Sequence, residues 1–287
     1  MSRPTLQGSF PGSDIPSTEG FFNFVAIKQA GWWRQQRGEV VKPGFLYPYT
    51  RDEVIASKHI LNCFRELDHE TRYLQPFVKN HEGPMVLYRS VLFRMVDRAE
   101  TFEAFGGILS PEMAEEWKTF VRKRFGSGMK VFTGAHQTPG LHRYCEAVDS
   151  MTRRYEAMWS QIEKRKTLSE VHQYLRTEIP GVSGFFAWQV SADLLEQKVL
   201  PFTENEWVYL GPGPMRSLQM IHDRRISQTE GVSYVKRIHD EQGRYFENAP
   251  EPMQYPPDIQ DFTFKNIEHS LCEYSRYIGF QWGSLGT

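Results

Sequence analysis

Cysteine is scarce in this chain of 287 residues: Cys63, Cys145 and Cys272 are its three, odd in number and far apart. That spacing excludes a disulfide framework and a clustered zinc site, and it makes a reducing cytoplasm the expected compartment. Charge of one sign is also missing. With 34 Lys and Arg against 35 Asp and Glu, the formal net charge of −1 supplies no global pull on a polyanion, so a nucleic-acid site has to be a local patch. No apolar run reaches membrane-spanning length, and the mean hydropathy of −0.53 excludes the membrane class. No basic segment followed by an apolar stretch opens the sequence, so no export signal is expected. Internal repeats are absent, and low complexity is confined to residues 1–19 and the proline-rich stretch Ala249 to Asp258.

What the chain does have is 40% hydrophobic and 14% aromatic residues, the make-up of an ordered globular protein. Residues 1–19 are rich in Ser, Pro, Gly and Thr and read as a flexible lead-in, and residues 20–287 read as one domain. Helical spacing predicts a helix over Phe21 to Arg37 with Gly38 as its stop, then a linker at Pro43, Gly44 and Pro48. Thr50 and Glu53 form a capping-box pattern, predicting one long helix whose apolar face carries Val54, Leu61, Phe64, Leu67 and Leu74. Further helices are predicted over Leu87 to Ala99, after Ser110-Pro111, over Tyr144 to Lys166, after Thr167, and through Trp188 to Leu194. Strand candidates are limited to Met129 to Thr133 and Glu206 to Leu210, too little for a sheet, so the expected fold is all-α.

Three constellations carry polar chemistry. The first is the predicted long helix with Arg65, Asp68, His69 and Arg72, where charge lies close to a core and is costly unless used. Left to itself, an exposed Arg65–Asp68 pair is a helix ion pair worth a few tenths of a kcal/mol. The second is a pair of glycine turns. Ile179 to Ala187, with Gly181, Ser183 and Gly184, looks like a helix-hairpin-helix turn, whose amides approach a DNA phosphate; a plain helical connection is the competing reading. Gly211-Pro212-Gly213 with Arg216 opens a helix and suits a phosphate or pyrophosphate. The third is His269, Cys272, Glu273 and Arg276 on neighbouring helical turns, which lacks the spacing of a metal site; no metal or cofactor is expected. In helix-hairpin-helix glycosylases a lysine falls near Phe185 and a carboxylate later than Asp193, so excision chemistry is disfavoured while the scaffold remains the expected one.

Taken together, Tyr49-Thr50-Arg51-Asp52 and Asn62 to Thr71 resemble the P-W-T-D-D and N-V-x-R-E-x-D-R-V-T signature of the α-glutamyl/putrescinyl thymine pyrophosphorylase family. These are amino acid:DNA transferases, related to the helical domain of 5-hydroxymethyluracil DNA kinases. Ile179 to Val182, Phe185, Ala187, Asp193-Leu194, Gly211 to Gly213 and Glu268 to Glu273 look like later blocks, so the resemblance covers about residues 21 to 280. Departures are Tyr49 in place of Trp, Ser183 in the hairpin and Arg276 in place of Lys.

The resemblance implies a step in making hypermodified thymine in bacteriophage DNA, placing the protein in the host cytoplasm. A kinase, the expected functional partner, activates 5-hydroxymethyluracil in DNA as a pyrophosphate ester, and an amino acid or polyamine then displaces the pyrophosphate. No G-x-x-x-x-G-K-[ST] loop occurs in the sequence, so the kinase step by that route is not expected of it. The implied chemistry needs an extruded base supported by aromatics such as Trp188, Trp207 and Tyr209. It needs cations and amides for the leaving group, from Arg65, Arg72, Arg216, Gly211 and Gly213. A proton acceptor for the amine is also required: Asp68 first, then Asp193 and His69. His269, Glu273 and Arg276 join the expected substrate site, and Gly181, Ser183 and Gly184 the DNA contact. The alternatives are a glycosylase acting on a modified base and a non-catalytic DNA-binding module.

Overall fold

In a computed structural model that describes residues 16–39 and 49–282, the chain is helical throughout, and no strand occurs among the described residues. Neither strand candidate forms regular secondary structure. The linker read at Pro43, Gly44 and Pro48 and most of the 1–19 lead-in lie outside the described residues. Where that lead-in is described it is already folding, because Ser17 caps the first helix by accepting the Gly20 amide at 2.9 Å.

Within the stretch read from the sequence as one domain, the helices gather in two compact units, Met1–Asp68 with Leu210–Thr287, and His69–Tyr209. The first unit holds α1 (Thr18–Arg37), α2 (Glu53–Ser57), a 3-10 turn (Arg65–Leu67), and, from the C-terminal half, α10 (Pro212–His222), α11 (Gln228–Glu247) and α12 (Phe264–Gln281). α12 is its axis: α1, α2, α10, α11 and the 3-10 turn all pack on it. Its aromatic side is ordinary core, with Tyr274 against Phe21 and Phe24. What is unusual is how many polar residues around it are buried, namely Lys265, Asn266, Glu268, Ser270, Glu273 and Ser275. Buried polar groups have to be bonded to something, so these side chains must meet backbone or other polar side chains.

The second unit holds α3 (His69–Val78), α4 (Gly83–Val96), α5 (Ala99–Glu103), α6 (Ala114–Gly126), α7 (Leu141–Ile162), α8 (Leu168–Glu178) and α9 (Gly184–Glu196). Its axis is α4, buried along nearly its whole length and packed by α3, α7 and α9. The helices predicted over Leu87 to Ala99 and Tyr144 to Lys166 form with ends three or four residues earlier, whereas both ends of α8 fall where local chemistry put them. Thr167 caps α8 by accepting the Glu170 amide, and α8 stops just before Pro180.

The predicted long helix from Thr50 is not formed. Asp52, not Thr50, caps α2, which ends at Ser57; a 3-10 turn covers Arg65 to Leu67, and α3 begins only at His69. The reason lies in α12. Its side chains take the backbone of residues 59–65: Asn266 accepts the Arg65 amide (2.9 Å), Ser270 donates to the Cys63 carbonyl (2.8 Å) and His269 to the Asn62 carbonyl (2.9 Å). Glu273 accepts the Leu61 amide (2.8 Å), and Arg276 donates to the His59 carbonyl (2.8 Å). From Asn266 to Arg276 α12 rises about 15 Å, at about 1.5 Å per residue. A helix over residues 59–65 would cover only about 9 Å, whereas an extended strap covers up to about 20 Å and reaches every partner. The apolar period was real, but the backbone bonds belong to α12.

Close approach also explains one of the two glycines at the start of α10. A Cβ on Gly213 would sit 2.6 Å from Cys272 Sγ on α12. Gly213→Ala is expected to destabilise the protein by about 1–3 kcal/mol through overpacking. Cys272→Ala should recover most of that loss in the double variant, read as the thermal midpoint.

Candidate functional site

Each unit gathers its own set of the residues singled out from the sequence. In the first unit, Arg65, His269, Glu273 and Arg276 are spread along the ladder between the strap and α12, with Arg65 at the Asn266 end, Arg276 at the His59 end and Asp68 at the end of the 3-10 turn. Arg65 is buried, 1% exposed, and its neighbour Glu66 accepts from the fully buried Lys265 ammonium at 2.6 Å and from Asn266 at 3.3 Å. Asp68 is half-buried and extended (φ −64°, ψ 141°). Glu273 is nearly inaccessible and holds both the Leu61 amide and the Arg276 guanidinium, whose Nη1 lies 3.1 Å from each carboxylate oxygen. His269, Glu273 and Arg276 therefore shape the strap directly, a role that their spacing on a helix did not reveal.

Asp52 completes this layer. One of its oxygens caps α2 through the Ile55 amide (2.9 Å), and the other accepts the Tyr277 hydroxyl (2.6 Å). Burial first, and then the Asp52 charge, hold the Tyr277 phenol well above its ordinary pKa, so it stays a donor. Thr50, read as the cap, instead accepts the Asp52 amide at 3.1 Å. Burial likewise pushes the Cys63 and Cys272 thiols up to about 12, which keeps both protonated and unreactive near neutrality. At the α10 start, Gly211 stands at the cap position and Arg216 is exposed.

In the second unit, Asp193 is 1% exposed and takes the Arg94 guanidinium on both oxygens, at 2.9 and 2.7 Å. Arg94 also reaches Thr71 (3.0 Å) and Asp97 (3.3 Å), and Asp97 accepts from His136 Nε2 at 3.0 Å. Burial works to raise the Asp97 pKa, but the His136 hydrogen bond and the Arg94 charge outweigh it, and the net shift is downward. Asp193 is thus committed to a buried ion pair, which argues against its use as a proton acceptor. His69 and Arg72 are exposed, with His69 Nδ1 3.3 Å from Glu70. Trp188 is fully buried against Trp207, so the half-exposed Trp207, tilted against His172, and Tyr209, stacked on it, carry the accessible rings.

The hairpin is a tight helix–turn–helix. Gly181 adopts φ +75°, and Ser183 caps α9 by accepting the Phe186 amide at 3.3 Å. Gly184 is required because the Tyr209 ring lies 2.7 Å from where a Cβ would stand. Backbone conformation accounts for Gly181 and packing for Gly184.

Sequence reasoning missed Arg94, Asp97 and His136. One signal was available: Arg94 interrupts the otherwise apolar run from Val91 to Val96, and a charge there needs a buried partner. Asp193→Asn is expected to cost about 3–5 kcal/mol because it removes the bidentate counter-charge of the buried Arg94, while Arg94→Met with Asp193→Leu should be close to neutral. Because the Asp97 pKa falls below its ordinary 3.8 on folding, its contribution is present above that value and is lost as pH drops through the folded pKa. Thermal midpoints of Asp97→Asn should therefore fall less steeply than wild type on acidification.

The family described as "5-hmdU DNA kinase, helical domain" matches residues 17–285. A curated relative, the "5-hmdU DNA kinase" of Bacillus phage SP10, is 23% identical over 295 residues, which cover 91% of this chain and 44% of the relative. The chain thus spans less than half the length of that relative. No solved structure matches it. Among the described residues no helix is long and apolar enough to cross a membrane. With a match that runs through both units from end to end, the chain belongs to the 5-hmdU DNA kinase helical-domain family.

Proposed function

We propose that this protein is a DNA-base-modifying transferase that replaces the pyrophosphate of an activated 5-hydroxymethyluracil in DNA with an amine. The observation that carries the reading is the match of the 5-hmdU DNA kinase helical-domain family over residues 17–285, which ties the chain to that modified base in DNA. The step assigned to it is amine transfer. In that step the amine nitrogen forms a bond to the exocyclic carbon on C5, the carbon–oxygen bond breaks, diphosphate departs, and the amine gives up a proton. The donor is an amino acid or a polyamine, and the 5-hydroxymethyluracil kinase is the functional partner that supplies the activated base.

The first unit carries the residues suited to this chemistry. Asp68 is half-buried, where a carboxylate can meet a ligand, and is the proposed proton acceptor. Arg216, exposed at the start of α10, with the amides at Gly211 and Gly213, is suited to the developing diphosphate charge, while Arg65, 1% exposed, serves as a buried support. His269, Glu273 and Arg276 act by holding the strap that leads to Asp68. In the second unit, the exposed His69 and Arg72 and the Gly181–Ser183–Gly184 turn are suited to DNA backbone contact, and Trp207 and Tyr209 to stacking. Asp193 and Trp188 serve as buried supports.

The test supplies purified protein with 5-hydroxymethyluracil DNA, the partner kinase, ATP and a panel of amino acids and polyamines, followed by nucleoside mass spectrometry. An amine adduct is expected with wild type, and Asp68→Asn should slow its formation by about 10²–10⁴-fold while the thermal midpoint holds. No adduct with any amine would refute the transferase reading, and release of free base would instead favour excision.

A further inference from the structure

A chain so close to neutral can hold a polyanion only at a local patch, and one stretch of the second unit meets that requirement. Between Glu116 and Glu146 there are six Lys and Arg, namely Lys118, Arg122, Lys123, Arg124, Lys130 and Arg143, and no Asp or Glu. Lys118 is buried and taken by Glu115 and Asp149, and Arg143 is bonded to Glu146. The other four gather at the end of α6. Arg122, Lys123 and Lys130 are exposed and Arg124 is half-buried, and among the described residues no carboxylate forms an ion pair with any of them. Cations in a last helical turn offset the helix dipole, which accounts for Lys123 and Arg124 but not for Lys130 or for the lack of carboxylates.

The same helix end carries the two most exposed large apolar side chains among the described residues, Phe125 at 51% and Met129 at 49%. A fixed turn holds them out. Gly128 adopts φ +73°, its amide donates to the Phe125 carbonyl (3.0 Å), and the Met129 amide donates to the Arg124 carbonyl (3.1 Å), the paired bonds of a glycine-terminated helix stop. The Ser127 hydroxyl donates to the Lys123 carbonyl (2.9 Å) and Arg124 Nε to the Lys130 carbonyl (2.8 Å). In such a stop the residue after the glycine often packs on an apolar residue of the last turn; here that place is Arg124, and Met129 stays in solvent. Apolar groups held in water among cations without counter-charges describe a contact surface, and its chemistry selects the partner. The cations call for a polyanion, and the exposed ring calls for a planar apolar face. A single strand of DNA offers phosphates beside unstacked bases and so uses both, whereas a duplex hides its base faces.

We propose that the end of α6 and the turn after it bind an unpaired stretch of the DNA strand: Arg122, Lys123 and Lys130 contact its phosphates and a base stacks on Phe125. Followed along the chain, the carboxylate-free run arrives at the hairpin, where the Pro139 and Arg143 Cβ atoms lie 3.1 Å from where a Cβ on Gly181 would stand. The run therefore ends beside the turn suited to DNA backbone contact. This deepens the function proposed above by assigning where the strand is held, and rests on its reading of the substrate as DNA.

The test measures binding of unmodified DNA to the full chain, so a failure of amine transfer would leave its readout intact. The probes are a mixed-sequence single strand, the same sequence as a duplex, and inorganic polyphosphate, which has the charge without the bases. Wild type is expected to bind the single strand more tightly than the duplex. Phe125→Ser should weaken binding of the single strand about tenfold and leave polyphosphate within about twofold. Lys123→Gln with Lys130→Gln should weaken binding of both and reduce the slope of log affinity against log salt by about 1.4, at about 0.7 for each lost phosphate contact. All three side chains are exposed, so the thermal midpoint should hold in both variants. Unchanged affinity for the single strand in either variant would overturn the proposal. So would Phe125-dependent binding to vesicles of anionic lipid with DNA binding unaltered, which would make the surface a membrane contact.

Discussion

The hydrogen bonds between the buried polar face of α12 and the backbone of residues 59–65 are the constraint on which the first unit depends. Five side chains of one helix face meet five backbone groups of an extended strap running the opposite way. Neither partner is stable alone, since the strap would leave its amides and carbonyls unmet and α12 would bury charges without cause. Each bond nets only about 0.5–1.5 kcal/mol, but an unmet buried group costs about 1–3 kcal/mol, so the ladder is held or lost as a set. Arg65, Glu66 and Asp68 come at the end of that strap, and their positions follow from it.

The second unit is organised on the same principle with charges in place of backbone. Arg94, carried by the most deeply buried helix, joins α3, α4 and α9 through Thr71, Asp97 and Asp193. Such a network contributes little net stability against apolar residues of equal volume, yet breaking it is expensive. It accordingly specifies how α9 and the turn before it are oriented on α4, including Ser183 and Gly184. A buried ion pair in that position behaves as an alignment device, which is why a carboxylate that looked catalytic in the sequence is better understood as a support.

Much of the helical pattern was legible before the structure. Thr167, Ser110-Pro111, Gly38 and Pro180 mark helix ends by local chemistry, and local chemistry decides them. The stretch after Thr50 was misread because its apolar spacing is helical while its partners lie some 200 residues away on α12. Period reports which side chains are buried, and it is blind to who owns the backbone hydrogen bonds. For the same reason His269, Glu273 and Arg276 were found as a cluster, but their attachment to the strap was not.

Hydrogen exchange at the strap tests most directly whether α12 side chains hold it. The Leu61 and Arg65 amides, bonded to Glu273 and Asn266, are predicted to exchange slowly although they lie outside any α-helix, and Asn266→Ala is predicted to release the Arg65 amide selectively. Exchange of both amides in wild type as fast as in an unfolded peptide would contradict the account.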